Sequence, residues 1–215
     1  MSRKTHVSSK DPFINPVYIN WLNMLCELIS PKDLILLAGR GAAKTDIFAQ
    51  RSQNVIYDMP HSQQVIVSDT YVNAAKNIVP TLFEGWARKG WIHGRDYVTD
   101  IRPPKHFKNC YKPTDSFKHT ISTKVGVRLI LGSLDQPSGL AGNSFQHMYG
   151  DEGRLLNFVK LKKLEPAIRG EHASFQHSVY YRGRTFLSDN PNILQGDFDW
   201  MLKREKDMNI EQVKA

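Results

Sequence analysis

An α/β fold, with a mainly parallel central β-sheet flanked by helices, is what this sequence predicts, and three observations predict it. Short apolar runs bounded by turn residues alternate with longer stretches of helical period, the order that crossover connections produce. The first such run leads straight into a glycine-bearing turn and a helix, "LILLAGRGAAKT" at 34–45. The chain has 215 residues, 40% of them hydrophobic, which is enough for one domain with a sizeable core. The spacing divides it into a flexible tail over 1–12, one domain over 13–202 and a C-terminal helix or linker over 203–215.

The elements follow in order. "PVYINWLNMLCELI" puts Tyr18, Trp21, Leu22, Leu25 and Ile29 at helical spacing, with Pro16 suited to a first turn. "LILLAG" reads as a buried strand. "KTDIFAQRSQNVIYDM" reads as a helix with Ile47, Phe48 and Ile56 inward, ending before Pro60. "QQVIVSDT" is a second strand. "NAAKNIVPTLFEGWARKGW" is a helix with Ala75, Val79, Leu82, Phe83 and Trp86 on its apolar stripe, kinked or split by Pro80. Residues 95–125 are rich in Pro, Lys, Thr and His and read as an excursion from the sheet, with hairpins. "VGVRLILGSL" returns to strand, and "SFQHMYGDEG" is a strand end followed by acids, its apolar run interrupted by Gln146 and His147. "LLNFVKLKKLEPAI" reads as a helix, "SVYYRGRTFLSDNP" as a last strand and "GDFDWMLKREKDMN" as another helix.

The turn "AGRGAAKT" has the outline of a phosphate-gripping loop. Such a loop needs a strand to aim it, backbone N–H groups converging at a helix N-terminus, a lysine for the terminal phosphates and a hydroxyl for magnesium. Here Gly39 and Gly41 supply backbone freedom, Lys44 the ammonium and Thr45 the hydroxyl. Ala38 and Ala43 stand where the strict pattern has glycine. Ala43 is cost-free if its backbone is already helical, and Ala38 if it ends the strand with ordinary dihedrals. A strand-to-helix turn without a ligand shares the same outline.

Two further segments supply polar groups at strand ends. "GDEG" offers Asp151 and Glu152, and adjacent acids can divide the work of holding magnesium and polarising a water. An acidic surface turn would look the same. "RTFLSDNP" ends a strand on Ser188, Asp189 and Asn190, groups suited to a γ-phosphate or an attacking water, or simply to an Asn-Pro turn.

Together these segments resemble the ATPase domain of a tailed-phage terminase large subunit, the motor that packs DNA into procapsids. The resemblance runs from about Pro12 to about Trp200. It is carried by "LLAGRGAAKT", "VIVSDTYVNAAKNIVPTLFEGW", "LGSLDQPSGLAGNSFQHMYGDEG" and "RTFLSDNP" in that order and spacing. It implies a P-loop NTPase of the ASCE type, with ATP and Mg2+ as cofactors. Lys44 would then bind the β- and γ-phosphates, Thr45 and Asp151 the magnesium, and Glu152 would be the catalytic base. Arg40 matches the arginine inside the phosphate loop and joins Lys44 and Glu152 as catalytic. Gly39, Arg40, Gly41, Ala42, Ala43, Lys44 and Thr45 would contact the nucleotide, with Ser188, Asp189 and Asn190 as the coupling motif.

The match departs from the family at "GLAGNSF", where Ala141 stands before Gly142 in place of a common arginine. Arg128, Arg154 and Arg169 are left as candidates for the trans-acting arginine. The family usually continues into an RNase H-like nuclease. This chain stops near the helix after "SDNP", so residues 203–215 would lead toward that domain and no nuclease activity is expected within the chain. The implied partners are double-stranded DNA of any sequence, a portal protein, a small terminase subunit and further copies of the chain, a pentameric ring when docked. The implied location is the host cytoplasm, transiently at the portal vertex, with no membrane contact. Two rival functions keep the same residues: a helicase-like ATPase acting on nucleic acid, and a non-catalytic basic DNA- or portal-binding module with a decayed loop.

The formal net charge of +8 favours a polyanionic partner. Sequence-independent DNA contact would come from Arg102, Lys105, Lys108, Lys112, Lys118 and Lys124, or from Arg154, Lys160, Lys162 and Lys163, the last three also suited to a solvated helix face. Cys26 and Cys110 have neither disulfide-framework nor metal spacing, which points to a reducing, intracellular setting. No zinc site is expected from Cys110, His172 and His177. Trp86 and Trp91 read as core residues, and Phe13 or Tyr18 as rings that could pack on an adenine.

Overall fold

The computed structural model describes residues 19–170 and 173–214. The expected tail over 1–12, Phe13, Pro16, Tyr18 and His172 lie outside the described residues. Among the described residues seven strands form one sheet, in the order β1-β7-β6-β2-β5-β4-β3. They are β1 (Leu34–Leu37), β2 (Gln63–Ser68), β3 (Tyr97–Thr99), β4 (Thr120–Thr123), β5 (Arg128–Ser133), β6 (His147–Gly150) and β7 (Gly183–Ser188). The five strands from β1 to β5 along the sheet run parallel. The excursion adds β4 and β3 as an antiparallel edge, so the expected hairpins are present.

Helices cover both faces, which is why β2 is buried at every residue rather than alternating. Its side chains still divide by the two-residue period. Ile66 joins Ile47, Phe48, Ile56, Leu82, Trp86, Trp91 and Tyr149 on one face. Val65 and Val67 join Met148, Leu156, Leu161, Phe186, Trp200 and Met201 on the other. The first face is roofed by α1 (Trp21–Ile29), α2 (Lys44–Asp58) and a composite helix of α3 (Tyr71–Asn73), a π-turn (Ala74–Ile78) and α4 (Val79–Arg88). Close approach of α2 and α4 depends on Gly85, where an added Cβ would lie 2.5 Å from that of Ala49.

Pro80 does not split this helix. It sits in the first turn of α4, directly after the π-turn, and Thr81 Oγ1 donates to the carbonyls of Asn77 and Ile78. The wider turn accommodates the missing N–H. It also shifts the buried stripe to Ala74, Ile78, Leu82 and Trp86, leaving Ala75 exposed. Trp21, expected inward on α1, is 72% exposed, and Asn23 and Cys26 occupy the buried face instead.

The sequence between β6 and β7 is less helical than its period suggests. In place of one helix there are a 3-10 turn (Gly153–Leu155), α6 (Phe158–Lys162) and a second 3-10 turn (Glu165–Ala167). Asn157 caps α6, accepting from the N–H groups of Val159 and Lys160, and Pro166 cannot continue the α-helical ladder. The last strand is shorter than "SVYYRGRTFLSDNP", because 179–182 form turns. Beyond it come 3-10 turns at Ile193–Gln195 and Leu202–Asp207, then α7 (Ile210–Lys214), where one longer helix was expected. The remaining short helix, α5 (Ser138–Ala141), follows β5.

Gln146 and His147, which interrupt the apolar run of β6, are fully buried and fully employed. Gln146 accepts from the Gln63 N–H and donates to Tyr111 Oη. The Tyr180 carbonyl can only accept, so His147 Nδ1 carries the proton, and Nε2 accepts from Thr185 Oγ1 at 2.9 Å. Burial lowers the His147 pKa to about 3 and keeps the ring neutral. No helix among the described residues is long and apolar enough to cross a membrane.

Candidate functional site

The C-terminal ends of β1, β7 and β6 lie side by side, and each carries one of the polar segments picked out in the sequence. That edge is where an open α/β sheet binds its ligands. Between β1 and α2 the loop turns on Gly41 at φ +82°. Ala38 extends the β1–β7 ladder by donating to the Ser188 carbonyl, so it has the ordinary strand-end geometry under which alanine is tolerated. Ala43 does not. It caps α2 at φ 60°, ψ 31°, in the left-handed region, so the cost-free helical placement is overturned and the residue is strained.

The loop fits a nucleotide's phosphates by its donors. Among the described residues no group accepts from the backbone N–H groups of Arg40, Gly41, Lys44 or Thr45, at the N-terminus of a 15-residue helix. Cβ atoms added at Gly39 and Gly41 would meet nothing within 4 Å. Lys44 Nζ donates to the carbonyls of Ala38 and Gly39 and to Asp189 Oδ1 at 2.5 Å. Arg40, 90% exposed, reaches the other oxygen of Asp189 at 3.4 Å. The hydrogen bond from Lys44 holds the Asp189 carboxyl below the usual carboxylate range, and Arg40 adds to it. Asp189 thus offers the loop cations a carboxylate where a phosphate would offer an anion.

Asp151 and Glu152 follow β6. Burial pushes the Asp151 pKa to about 6, and the charges of Glu152 and Asp189 add to the rise; the Glu152 N–H and Lys44 oppose it. A divalent cation is the natural counter-charge for such a group, and the Thr45 hydroxyl on α2 completes the residues that could hold one. Glu152 takes a left-handed backbone, φ 53°. Its carboxylate accepts from Arg154 Nε at 2.9 Å, and Arg154 Nη1 donates to Asp197 at 2.9 Å. Ser188 Oγ accepts from the Arg154 N–H, whereas Asn190 is exposed.

No protein-family model and no curated protein sequence matches the chain. Solved structures do match. The large terminase ATPase domain of Thermus phage P74-26 aligns with a TM-score of 0.52 over 86% of this chain and 68% of that one, at 14% identity. The fold is that of a large terminase ATPase domain. A large terminase from a thermophilic bacteriophage aligns with a TM-score of 0.48 over 76% of this chain, at 14% identity, and this chain spans 35% of it.

Within this terminase ATPase fold, β7 lies between the loop strand β1 and the acid-bearing strand β6. The three candidate arginines part company. Arg128 is buried at the start of β5, donating to Gln63 and to the Lys112 carbonyl, and Arg169 is exposed beside Gly170, which packs on Gln146 ahead of β6; both lie at the opposite edge of the sheet. Arg154 alone stands at the site, engaged by Glu152 and Asp197. Ala141 ends the short helix α5.

Two contributors escaped the sequence reading. Asn20 caps α1 by accepting from the Asn23 N–H and donates from Nδ2 to the Ala42 carbonyl, tying α1 to the loop. Its cap position was legible; its reach to the loop was not. Asp197, in an irregular segment, holds Arg154 and accepts from the Asn192 N–H. The surface readings also resolve. Lys124 is paired with the buried Asp96, Lys160 with Asp135, and Lys162 lies over the Phe158 ring. His177 bonds the Asp58 carbonyl, Cys110 the Ser62 carbonyl, and Trp86 and Trp91 are core residues.

Proposed function

We propose that this chain is a magnesium-dependent ATPase of the DNA-packaging kind, which translocates double-stranded DNA into a procapsid as part of a homo-oligomeric ring at a portal protein, with a small terminase subunit as a further partner. The observation that carries the proposal is the convergence of Lys44, Asp151, Glu152 and Asp189 at one edge of a parallel sheet, on a loop with unpaired backbone donors. The terminase ATPase fold supports it.

The residues divide the chemistry as follows. The loop N–H groups and Lys44 bind the phosphates, Lys44 exchanging the Asp189 carboxylate for a phosphate oxygen. Thr45 and Asp151 hold magnesium, which when bound spreads the charge of the β- and γ-phosphates. Glu152 accepts a proton from the attacking water, and Arg154 fixes the direction of its carboxylate. Arg40, exposed at the mouth, meets the terminal phosphate. Because Ser188 bonds the Arg154 N–H, Phe198 N–H donates to the Arg154 carbonyl and Trp200 Nε1 to that of Gly153, a shift at Glu152 is passed to the segment beyond β7. That is a physical route from hydrolysis to movement.

The test is ATP turnover by the full chain against Lys44→Ala and Glu152→Gln. Turnover in the wild type, lost by more than a hundredfold in both variants with nucleotide binding kept in Glu152→Gln, is the expected result. Equal background turnover in all three overturns the ATPase reading in favour of a binding module. Strand separation of a forked duplex would favour a helicase-like enzyme over a packaging motor.

A further inference from the structure

A cleft of about 500 Å³ opens between the 102–117 excursion and the β4–β5 turn. It lies at the edge of the sheet opposite the Lys44 loop, since Arg128 and Gln63 begin β5 and β2 there. Arg102, Lys105, Lys108, Lys112 and Arg128 line it, and no carboxylate does. Among the described residues none of these five cations forms an ion pair, in contrast to Lys124 nearby. Arg128 is 6% exposed, and its Nε is buried without a hydrogen-bond partner. Its Nη2 is spent on Gln63 and on the Lys112 carbonyl. The guanidinium thus places its charge at the floor of a cleft whose lining holds no carboxylate, and the rim cations Arg102, Lys105 and Lys108 are exposed above it.

Phe117, half-buried, and three prolines give the same cleft an apolar wall. Cations beside an aromatic face are the pairing that takes a phosphate and an unstacked base together. A duplex turns its base faces inward and offers Phe117 nothing to stack on. We infer that this cleft binds a single strand of nucleic acid, its phosphates on the exposed rim cations Arg102, Lys105 and Lys108, over the charge of Arg128, and a base against Phe117. The site is separate from the nucleotide loop and goes beyond the duplex translocation proposed above.

The test is fluorescence anisotropy of a labelled oligothymidylate with the full chain, in the absence of any nucleotide. Lys105→Glu/Lys108→Glu changes two exposed side chains, and its fold is checked by its unfolding midpoint. Expected are affinity at least tenfold weaker and a log–log salt slope shallower by roughly 1.4, from about 0.7 per lost phosphate contact. Lys162→Glu/Lys163→Glu, the same charge change on the opposite face, is expected to alter affinity less than threefold. Phe117→Ala is expected to weaken the single strand about tenfold and to leave a duplex of the same length unchanged.

Equal loss in both charge variants, equal wild-type affinity for single strand and duplex, or full displacement by inorganic phosphate at constant ionic strength would each overturn the inference. The assay contains no ATP, so its failure leaves the hydrolysis reading standing, and a failed turnover assay leaves the cleft standing.

Discussion

Replacing Ala43 with glycine should stabilise the protein, although the same change at its neighbour Ala42 should destabilise it. Ala43 sits at φ 60°, where a Cβ crowds the carbonyl; Ala42 is not among the residues of positive φ. Left-handed backbone costs a non-glycine residue roughly 1–2 kcal/mol. Glycine removes that strain but frees the unfolded chain by about 0.4–1 kcal/mol. The difference for Ala43→Gly is a gain of about 1 kcal/mol. Ala42→Gly relieves nothing and keeps only the unfolded-state term, a loss of about 0.4–1 kcal/mol. For a domain of this length, 1 kcal/mol moves Tm by about 2–4 °C. The assay is equilibrium urea unfolding followed by circular dichroism, with thermal midpoints beside it and unchanged m-values as the control. Shifts of the same sign in the two variants would refute the strain argument, because one alanine would then not differ from the other in backbone conformation.

Three further outcomes are expected. Asp189→Asn removes the carboxylate that competes for Lys44, and nucleotide affinity by calorimetry should rise severalfold; weaker binding would show that Asp189 assists the phosphate rather than replacing it. Asp151 has a folded pKa of about 6 against about 3.9 unfolded, so between those values the native state holds a proton that the unfolded chain has released. Its contribution is therefore most favourable below about pH 4 and declines as pH rises to 6; Asp151→Asn should flatten that stretch of the stability–pH curve, and magnesium-dependent nucleotide binding should weaken as pH falls below 6. Arg154→Ala frees the Glu152 carboxylate and should lower kcat at least tenfold with KM for ATP within threefold, with Asp197→Ala intermediate; a KM effect alone would place Arg154 in nucleotide binding instead.

The sequence by itself determined the α/β alternation, the strands, and the assignment of polar segments to strand ends. Those follow from short-range physics. β2 carries Val65, Ile66 and Val67 in succession because both its faces are covered, and α2 keeps Ile47, Phe48 and Ile56 on one side because 3.6 residues make a turn. "LLAGRGAAKT", "GDEG" and "SDNP" were legible because each is contiguous. What the sequence left open depended on neighbours in space. Pro80 was absorbed by a π-turn within a packed helix, and Gln146 and His147 found partners on β2, β7 and the 180 turn.

Only the tertiary structure decided the left-handed backbone of Ala43, the pairing of Lys44 with Asp189 across 145 residues and the Glu152–Arg154–Asp197 chain. It also separated Arg154 at the site from Arg128 at the opposite edge, and gathered residues 102–128 into a cationic cleft. The physical reason is that periodicity reports which face of an element is buried. Which charges meet, and how strongly burial shifts them, is set by strand order, and the order β1-β7-β6 is written in no single stretch of the chain.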